Sequence, residues 1–237
     1  MALSTATIAI MGLGSFLAFV YIILLVFSSK YNHLIKPLDE KEFRFNYLYG
    51  VGFIILDLIK YKYSSKGELK RRQKLAVLYD SKYADYYLRV IAAQRITIAF
   101  TVLLLGIAVY GMTEDIAVLL IFIMFTYVAF YYFGDIPNRK INARSEEILN
   151  DFPDVVSKLA LLTNAGMILR EAWEHVAYTG ESTLYKEMRL VVDNINNGMA
   201  EIDAYDNFGS RCMIPEIKKF TSTLIQGTTK GSRDLAM

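Results

Sequence analysis

The sequence has few of the residues that build most catalytic and metal centres. It contains one cysteine, Cys212, and two histidines, His33 and His175, in 237 residues. A single cysteine excludes an internal disulfide, and these three residues make a poor ligand set for zinc or haem. We therefore expect neither a metal nor a cofactor.

Sequence signatures of catalysis are missing too. The chain has no G-x-x-x-x-G-K-[ST] phosphate loop and no H-E-x-x-H, C-x-x-C or G-x-S-x-G motif. His175 has no nucleophile pattern near it, which favours a surface or core histidine over a general base. Arg211 beside Cys212 is a reason for a lowered thiol pKa, although a lone cysteine is more often inert packing. The chain is not predicted to be an enzyme.

Charge is absent from three long stretches, which are apolar instead. Hydrophobic residues make up 54% of the chain and its mean hydropathy is +0.29, which is unusual for a soluble protein. The uncharged residues 6–27 form, as a helix, a rod of about 33 Å, enough for a hydrocarbon core of about 30 Å. A signal peptide is the alternative, but its basic start and A-x-A cleavage site are missing. This segment is predicted to span a membrane.

Two more uncharged runs, residues 96–112 and 116–133, are separated by only three residues. They predict a helical hairpin across the bilayer. A buried helix pair is the alternative, but runs of this length lack the polar stripe of a surface helix. Tyr131 and Tyr132 at the end of the second run suit an aromatic belt at the interface.

The basic residues predict the orientation. Fourteen Lys and Arg lie between residues 30 and 95, twelve lie from 139 onward, and no others occur. With three spans they all fall on one side, which the positive-inside rule makes the cytoplasm of an inner, cytoplasmic membrane. The N-terminus and the turn at 113–115 are then outside.

Residues 47–59 are a fourth apolar stretch. They are short and contain Asp57, which costs about 2.5 to 3.5 kcal/mol near the centre of a spanning helix. We expect a packed or interfacial helix here and not a crossing.

A basic cluster opens the region before the hairpin. Apolar residues at helical spacing predict one amphipathic helix over 67–95, on a stripe of Leu69, Ala76, Tyr83, Tyr87, Val90 and Ile91, that runs into the second span. Lys70, Arg71 and Arg72 are candidates for contact with anionic membrane lipids or an acidic partner, worth about 1 kcal/mol per charge. A solvated positive face is the alternative, and the cluster is too short to indicate nucleic-acid binding.

The region after residue 138 predicts an all-α bundle of five short helices and no strand. Its apolar stripes are Ile148, Phe152, Val155, Leu159 and Leu162; Leu169, Ala172, Trp173 and Val176; Leu184, Met188, Val191 and Ile195; Ile202, Tyr205 and Phe208; and Ile217, Phe220 and Leu224.

Turn residues predict where these helices begin and end. Pro153 is expected to start or kink the first helix and Gly166 to end it with a left-handed cap. Ser182 is an expected N-cap, and Gly198 an expected stop. A sixth helix is expected to begin at Gly231. The chain thus divides into an N-terminal span (1–28), a basic helical region (29–95), a hairpin (96–137) and a cytoplasmic bundle (138–237).

The order of these parts resembles the type II secretion F family, in particular its tight-adherence protein C branch. The motif is diffuse and consists of turn and core positions. The positions that carry the resemblance are Asp151, Phe152, Pro153, Asp154, the run 159–166 from Leu159 to Gly166, Leu169, Ala172, Val176, Ile195, Gly198, Ala204, Phe208, Arg211, Phe220, Leu224, Gln226, Gly231 and Leu235.

The resemblance implies a non-enzymatic inner-membrane platform of a pilus or secretion machine. Its implied partners are a cytoplasmic ATPase, pilin or pseudopilin, and further copies or a paralogous platform protein. We expect the basic junction of Arg139, Lys140 and Arg144 to couple the bundle to the hairpin. Members of this family usually continue into at least one further span, so the resemblance implies either a bundle truncated at its C-terminal end or only a partial match to the family.

Two other functions are weighed against the platform. A transporter or transporter subunit is the second, but its substrate path needs ionisable groups in the membrane and the three runs contain none. A membrane-bound enzyme is the third, and it would need a reactive constellation that the sequence does not show.

Overall fold

The structure, a computed structural model, describes residues 5–234, with the backbone alone for residue 6 and for residues 229–234. All regular structure in this part of the chain is helical and no strand occurs in it, so the all-α prediction is confirmed there. The chain divides into two compact units, residues 1–139 and 140–237. Each is described by itself.

The first unit contains the apolar helices. Three helical stretches are long and apolar enough to span a membrane, and they are Thr7–Ile35, Ser81–Thr113 and Ile116–Gly134. They coincide with the three predicted spans. The helices of this unit are α1 (Thr5–Phe27), α2 (Asn32–Ile35), α3 (Tyr49–Leu58), α4 (Lys66–Tyr79), α5 (Ala84–Thr113), α6 (Ile116–Gly134) and the start of α7 (Ile136–Asn164).

Helix α3 is packed inside this unit, as predicted. It has ten residues and would reach about 15 Å, which is too short to cross a bilayer. Tyr49, Val51 and Phe53 are fully buried. The Asp57 carboxylate accepts hydrogen bonds from the Tyr31 hydroxyl at 2.5 Å and from Arg89 at 2.8 Å. The Asp57 charge, which was a reason to expect no membrane crossing here, therefore has hydrogen-bond partners within the fold.

The prediction of one amphipathic helix over 67–95 is wrong. Helix α4 ends at Tyr79, Asp80 adopts a positive φ of 79°, and α5 begins at Ala84. The Asp80 carboxylate accepts the Lys82 N–H, a local turn that aspartate forms readily and that competes with a helix. Two members of the predicted stripe, Leu69 and Tyr83, are exposed as a result.

The second unit is helical and surrounds Trp173. The indole Nε1 donates to the Met188 carbonyl at 3.1 Å, and the ring lies 4.9 Å from the Tyr205 ring and 5.0 Å from the Phe208 ring. The predicted stripes of α7, α8, α9 and α11 all contribute to this core. Besides most of α7, the helices here are α8 (Leu169–Ala177), α9 (Thr183–Asn196), α10 (Glu201–Cys212) and α11 (Pro215–Asp234).

One position of the predicted α10 stripe is wrong. Ile202 is 44% exposed, whereas Ala204, Phe208 and Cys212 are buried. The buried face is centred on Phe208, with Ala204 and Cys212 four residues away on each side. Ile202 is six residues from Phe208, which at 100° per residue is a rotation of 240° and places it on another face of the helix.

The predicted stops at Gly166 and Gly198 are confirmed. Both have left-handed φ angles, +95° and +94°. The N–H of Met167 donates to the Leu162 carbonyl at 3.1 Å, and the N–H of Met199 donates to the Asn194 carbonyl at 2.9 Å. Each glycine thus closes a helix with the six-to-one bond of a Schellman turn.

Two predicted helix boundaries turn out differently, and a third, the N-cap at Ser182, is confirmed in position but lacks a side-chain cap hydrogen bond. Helix α7 passes through Pro153 without beginning there. Pro153 is exposed, and so is Leu149, whose carbonyl loses its helical donor and can bond to water. Helix α11 continues through Gly231, so no separate helix starts there, and Leu235 lies outside the described residues. Ser182 is the N-cap position of α9, but the Thr183 N–H is bonded to Glu147 of α7.

We predict that Gly52→Ala destabilises the first unit. A Cβ at this position would lie 2.2 Å from the Ala93 carbonyl oxygen and 2.7 Å from its Cα, which are backbone atoms of α5 that cannot rotate away. We expect a loss of about 2 to 3 kcal/mol. Heating the purified chain in detergent and measuring the monodisperse fraction tests this. The control Gly12→Ala has nothing within 4 Å, and equal stability of the two variants would contradict the close approach of α3 to α5.

Candidate functional site

Two of the predicted interaction residues meet in the first unit. Arg71 on α4 and Arg139 on α7 line one open cleft of about 460 Å³ at the C-terminal end of α6. Sixty-seven residues separate them in the sequence, so only the fold brings them together. We call this site the arginine cleft, and its lining consists of Arg71, Tyr127, Val128, Tyr131, Tyr132, Asp135 and Arg139.

The two arginines differ in the contacts that their guanidinium groups make. The Arg139 guanidinium lies 3.7 Å from the centre of the Tyr132 ring and donates to the Tyr132 carbonyl at 3.3 Å. The same carbonyl also accepts the Asp135 N–H at 3.3 Å, so Arg139 adds a second donor at the end of α6. Arg71 has neither an ion-pair nor a hydrogen-bond partner among residues 5–234.

Arg95 is a third cation beside the cleft, and the sequence analysis did not single it out. A Cβ placed on Gly134, the last residue of α6, would lie 3.7 Å from Arg71 Nη2 and 3.8 Å from Arg95 Nη1. The Arg95 guanidinium also lies 4.9 Å from the Phe130 ring centre, and its Nε is buried without an acceptor. The sequence could have indicated this contact. The two runs of the predicted hairpin lie side by side, so charged residues that flank the ends opposite the turn come close together.

One carboxylate faces these arginines. Asp135 accepts a hydrogen bond from the Asn138 amide, whose oxygen accepts from Lys74 Nζ at 2.5 Å. Asp135 forms no ion pair with a cleft arginine in the described part of the chain. Arg95 also interacts with the Tyr61 hydroxyl, which donates to the buried Glu68, but three guanidinium groups still outnumber Asp135 and Glu68 and leave a positive formal charge.

The other predicted interaction residues of α4 lie outside the cleft. Lys70 is exposed. Arg72 pairs with Asp85 at 2.5 Å, and both side chains are more than half exposed. Such pairs contribute at most about 1 kcal/mol because water screens them. Of the three consecutive basic residues, only Arg71 lines the cleft, and Lys70 and Arg72 lie on the surface beside it.

Lys140 and Arg144, the residues of the basic junction that belong to the second unit, are partly buried. Arg144 Nη2 lies 2.8 Å from Glu187 Oε1, and Arg211 Nε lies 2.8 Å from Glu187 Oε2. The side chains of Arg144 and Glu187 are only 12% and 9% exposed. Arg144 also donates to the Arg211 carbonyl at 3.2 Å. Arg144 therefore holds α7 to α9 and α10, while Lys140 is half-buried.

The positions of the resemblance motif lie in turns and core of the second unit. Gly166 and Gly198 form the helix stops described above, and Pro153 is exposed within α7. Gly231 is in the last turns of α11. Of the others, Leu159, Ala172 and Phe208 are buried in the core and Leu169 and Phe220 are partly buried, whereas positions such as Asp154, Leu161 and Arg211 are exposed.

The residues considered for chemistry are apart from one another. No group of three or more His, Cys, Asp or Glu that could hold a metal occurs within residues 5–234. His33 and His175 are exposed. Burial raises the pKa of the Cys212 thiol to about 12; the charge of Glu187 raises it further, and the charges of Arg144 and Arg211 lower it. Arg211 does lower this pKa, as expected, but burial outweighs it, and the thiol stays protonated at neutral pH.

Comparison of the chain with protein-family models, with curated proteins and with solved structures yields no match.

We predict that Glu187→Gln destabilises the second unit by about 3 kcal/mol, because it leaves the buried Arg144 without a counter-charge. Cys212 is buried in the same unit and provides the measurement, which is the temperature at which a fluorogenic maleimide labels it. Lys158→Gln removes a solvent-screened pair with Asp154 and should change the unfolding temperature much less. If the two variants unfold at the same temperature, the buried cluster does not stabilise the unit.

Proposed function

We propose that the chain is a non-enzymatic, multi-pass platform protein of the cytoplasmic membrane that serves type IV or tight-adherence pilus assembly or type II secretion. In this proposal it couples a cytoplasmic ATPase to the polymerisation of pilin or pseudopilin. The observation that carries it is the set of resemblance positions in the second unit. Two of them, Gly166 and Gly198, form left-handed helix stops, and three, Leu159, Ala172 and Phe208, are buried in one core.

The apolar helices support a membrane location. No residue in the apolar window of Ile116–Gly134 is buried by the rest of the chain. Leaving such a surface in water would be costly, at roughly 25 cal/mol per Å² of apolar area. Lipid or the apolar helices of a partner would remove that cost, and pilin helices are such partners under this proposal.

The charge distribution supports an orientation with both basic regions in the cytoplasm. Residues 29–95 and 138–237 then face the ATPase, and the N-terminus and the turn between α5 and α6 face outward. The turn contains Glu114 and Asp115 and no basic residue.

The proposed coupling element is the start of α7. Arg144 is paired with Glu187 and therefore contributes to the packing of the second unit, whereas Arg139 of the junction is exposed. A helical unit of this kind can receive mechanical work from an ATPase without chemistry of its own.

The orientation predicts which introduced thiols are accessible in intact cells. A membrane-impermeant maleimide should label Met112→Cys, whose parent side chain is 86% exposed, and should not label Gln73→Cys or Asn197→Cys, which are exposed positions on α4 and after α9. Permeabilised cells should label all three. Native Cys212 adds little background because it is buried. Labelling of residue 73 or 197 in intact cells would reverse the orientation and end the platform proposal.

The platform function predicts co-purification of the chain with the secretion ATPase of its own cell. It also predicts that Arg139→Glu with Lys140→Glu stops piliation while the protein stays in the membrane. The control is Lys218→Glu with Lys219→Glu, two adjacent exposed lysines on α11. Normal piliation in the first variant would remove the junction from the mechanism, and failure to recover the ATPase would argue against the platform itself.

A further inference from the structure

We propose that the arginine cleft binds the phosphate of an anionic phospholipid whose acyl chains lie along the exposed apolar face of α6. This inference does not rest on the platform function. It follows from three features of the cleft: unpaired positive charge, hydrogen-bond donors at the end of an apolar helix, and an apolar track that leads into the site.

The positive charge of the cleft exceeds the negative charge around it. Arg71 and Arg95 each place a guanidinium nitrogen within 3.8 Å of the same point beside Gly134. Like charges this close repel each other, and no carboxylate in the described chain pairs with them. An anion bound between them would remove the repulsion. Guanidinium groups suit a phosphate because their planar N–H donors match its oxygens in pairs.

Hydrogen bonding to the carbonyls at the C-terminal end of α6 explains only part of the clustering of these arginines. Arg139 donates to the Tyr132 carbonyl, which uses one of the five N–H donors of its guanidinium. Arg71 donates to nothing within residues 5–234, so it serves no carbonyl of the helix end. The negative end of the α6 dipole and Asp135 reduce the positive potential, but three guanidinium charges exceed them.

The apolar track favours a lipid over a free anion. Leu120, Met124 and Val128 are each more than half exposed, and they follow one another at spacings of four residues along α6. Such residues form one stripe on a helix. Val128 belongs to the cleft itself, with Tyr127 and Tyr131 beside it. Tyrosines at the end of an apolar helix are typical of the level at which lipid head groups lie.

The test measures lipid retention by the purified full-length chain, using native mass spectrometry. Phosphatidylglycerol is compared with phosphatidylcholine of the same acyl chains. We expect phosphatidylglycerol to be retained selectively, and Arg71→Gln with Arg139→Gln to weaken its retention at least about tenfold, because two charge-assisted hydrogen-bonding groups are lost. The matched control, Lys66→Gln with Lys70→Gln, removes the same charge from exposed positions of α4 and should change retention less than twofold.

A second pair of variants, one that blocks the site and one control, tests it without changing charge. Gly134→Ala places a methyl group at ordinary contact distance from Arg71 and Arg95 and should leave lipid retention intact. Gly134→Leu extends further toward the two guanidinium groups and should reduce it as strongly as the arginine variants. All variants are first checked for an unlabelled Cys212 and a single peak in size-exclusion chromatography.

Each remaining outcome overturns the proposal. Equal retention of the two lipids would show that the cleft does not recognise charge. An equal loss in the lysine control would assign binding to diffuse surface charge. Inorganic phosphate that binds as tightly as phosphatidylglycerol would identify a free anion as the occupant. A hexaglutamate peptide that binds and is not displaced by phosphatidylglycerol would identify the cleft as a protein contact.

Discussion

The whole structure depends on the separation of charge from long apolar helices. No charged residue occurs before Lys30, and from residue 96 to 133 the only charges are Glu114 and Asp115 in the turn. Helices of this kind cannot cover each other completely, and α6 remains exposed along its length. The positive charge is therefore collected where these helices end, and the arginine cleft is one result. Its position at the end of α6 follows from the same constraint that makes α6 apolar.

Where polar groups do enter the first unit, other side chains of that unit satisfy most of them. Asp57 is bonded to Tyr31 and Arg89, and the buried Glu68 accepts the Tyr61 hydroxyl. The bond to Glu68 raises the pKa of the Tyr61 hydroxyl above its ordinary value, since the phenol must stay protonated to donate. Tyrosine suits this role because its ring adds to the apolar core while its hydroxyl reaches a carboxylate.

The second unit is built differently, because its interior contacts hold short amphipathic helices in one arrangement. Trp173 fills the centre and is fixed by one hydrogen bond to the Met188 carbonyl. The buried Glu187 then links three helices through Arg144 and Arg211. Apolar packing gives the stability, while a buried ionic cluster of this kind penalises alternative packings that would separate its members. The same cluster makes Cys212 an unreactive core residue, because burial and a nearby carboxylate both favour the neutral thiol.

The sequence by itself determined the helical class, the three long apolar helices, the buried stripes of α7, α8, α9 and α11, and the stops at Gly166 and Gly198, because periodicity and glycine backbone freedom act within a few residues. It was misleading where local rules compete. Asp80 broke a helix that the apolar spacing continued, and Pro153 was accommodated on an exposed face inside a helix. Tertiary structure alone decided that Arg71, Arg95 and Arg139 meet while Arg144 faces Glu187, because these contacts join residues 24 to 68 positions apart. Such contacts depend on the packing of whole helices, which no local pattern of residues encodes.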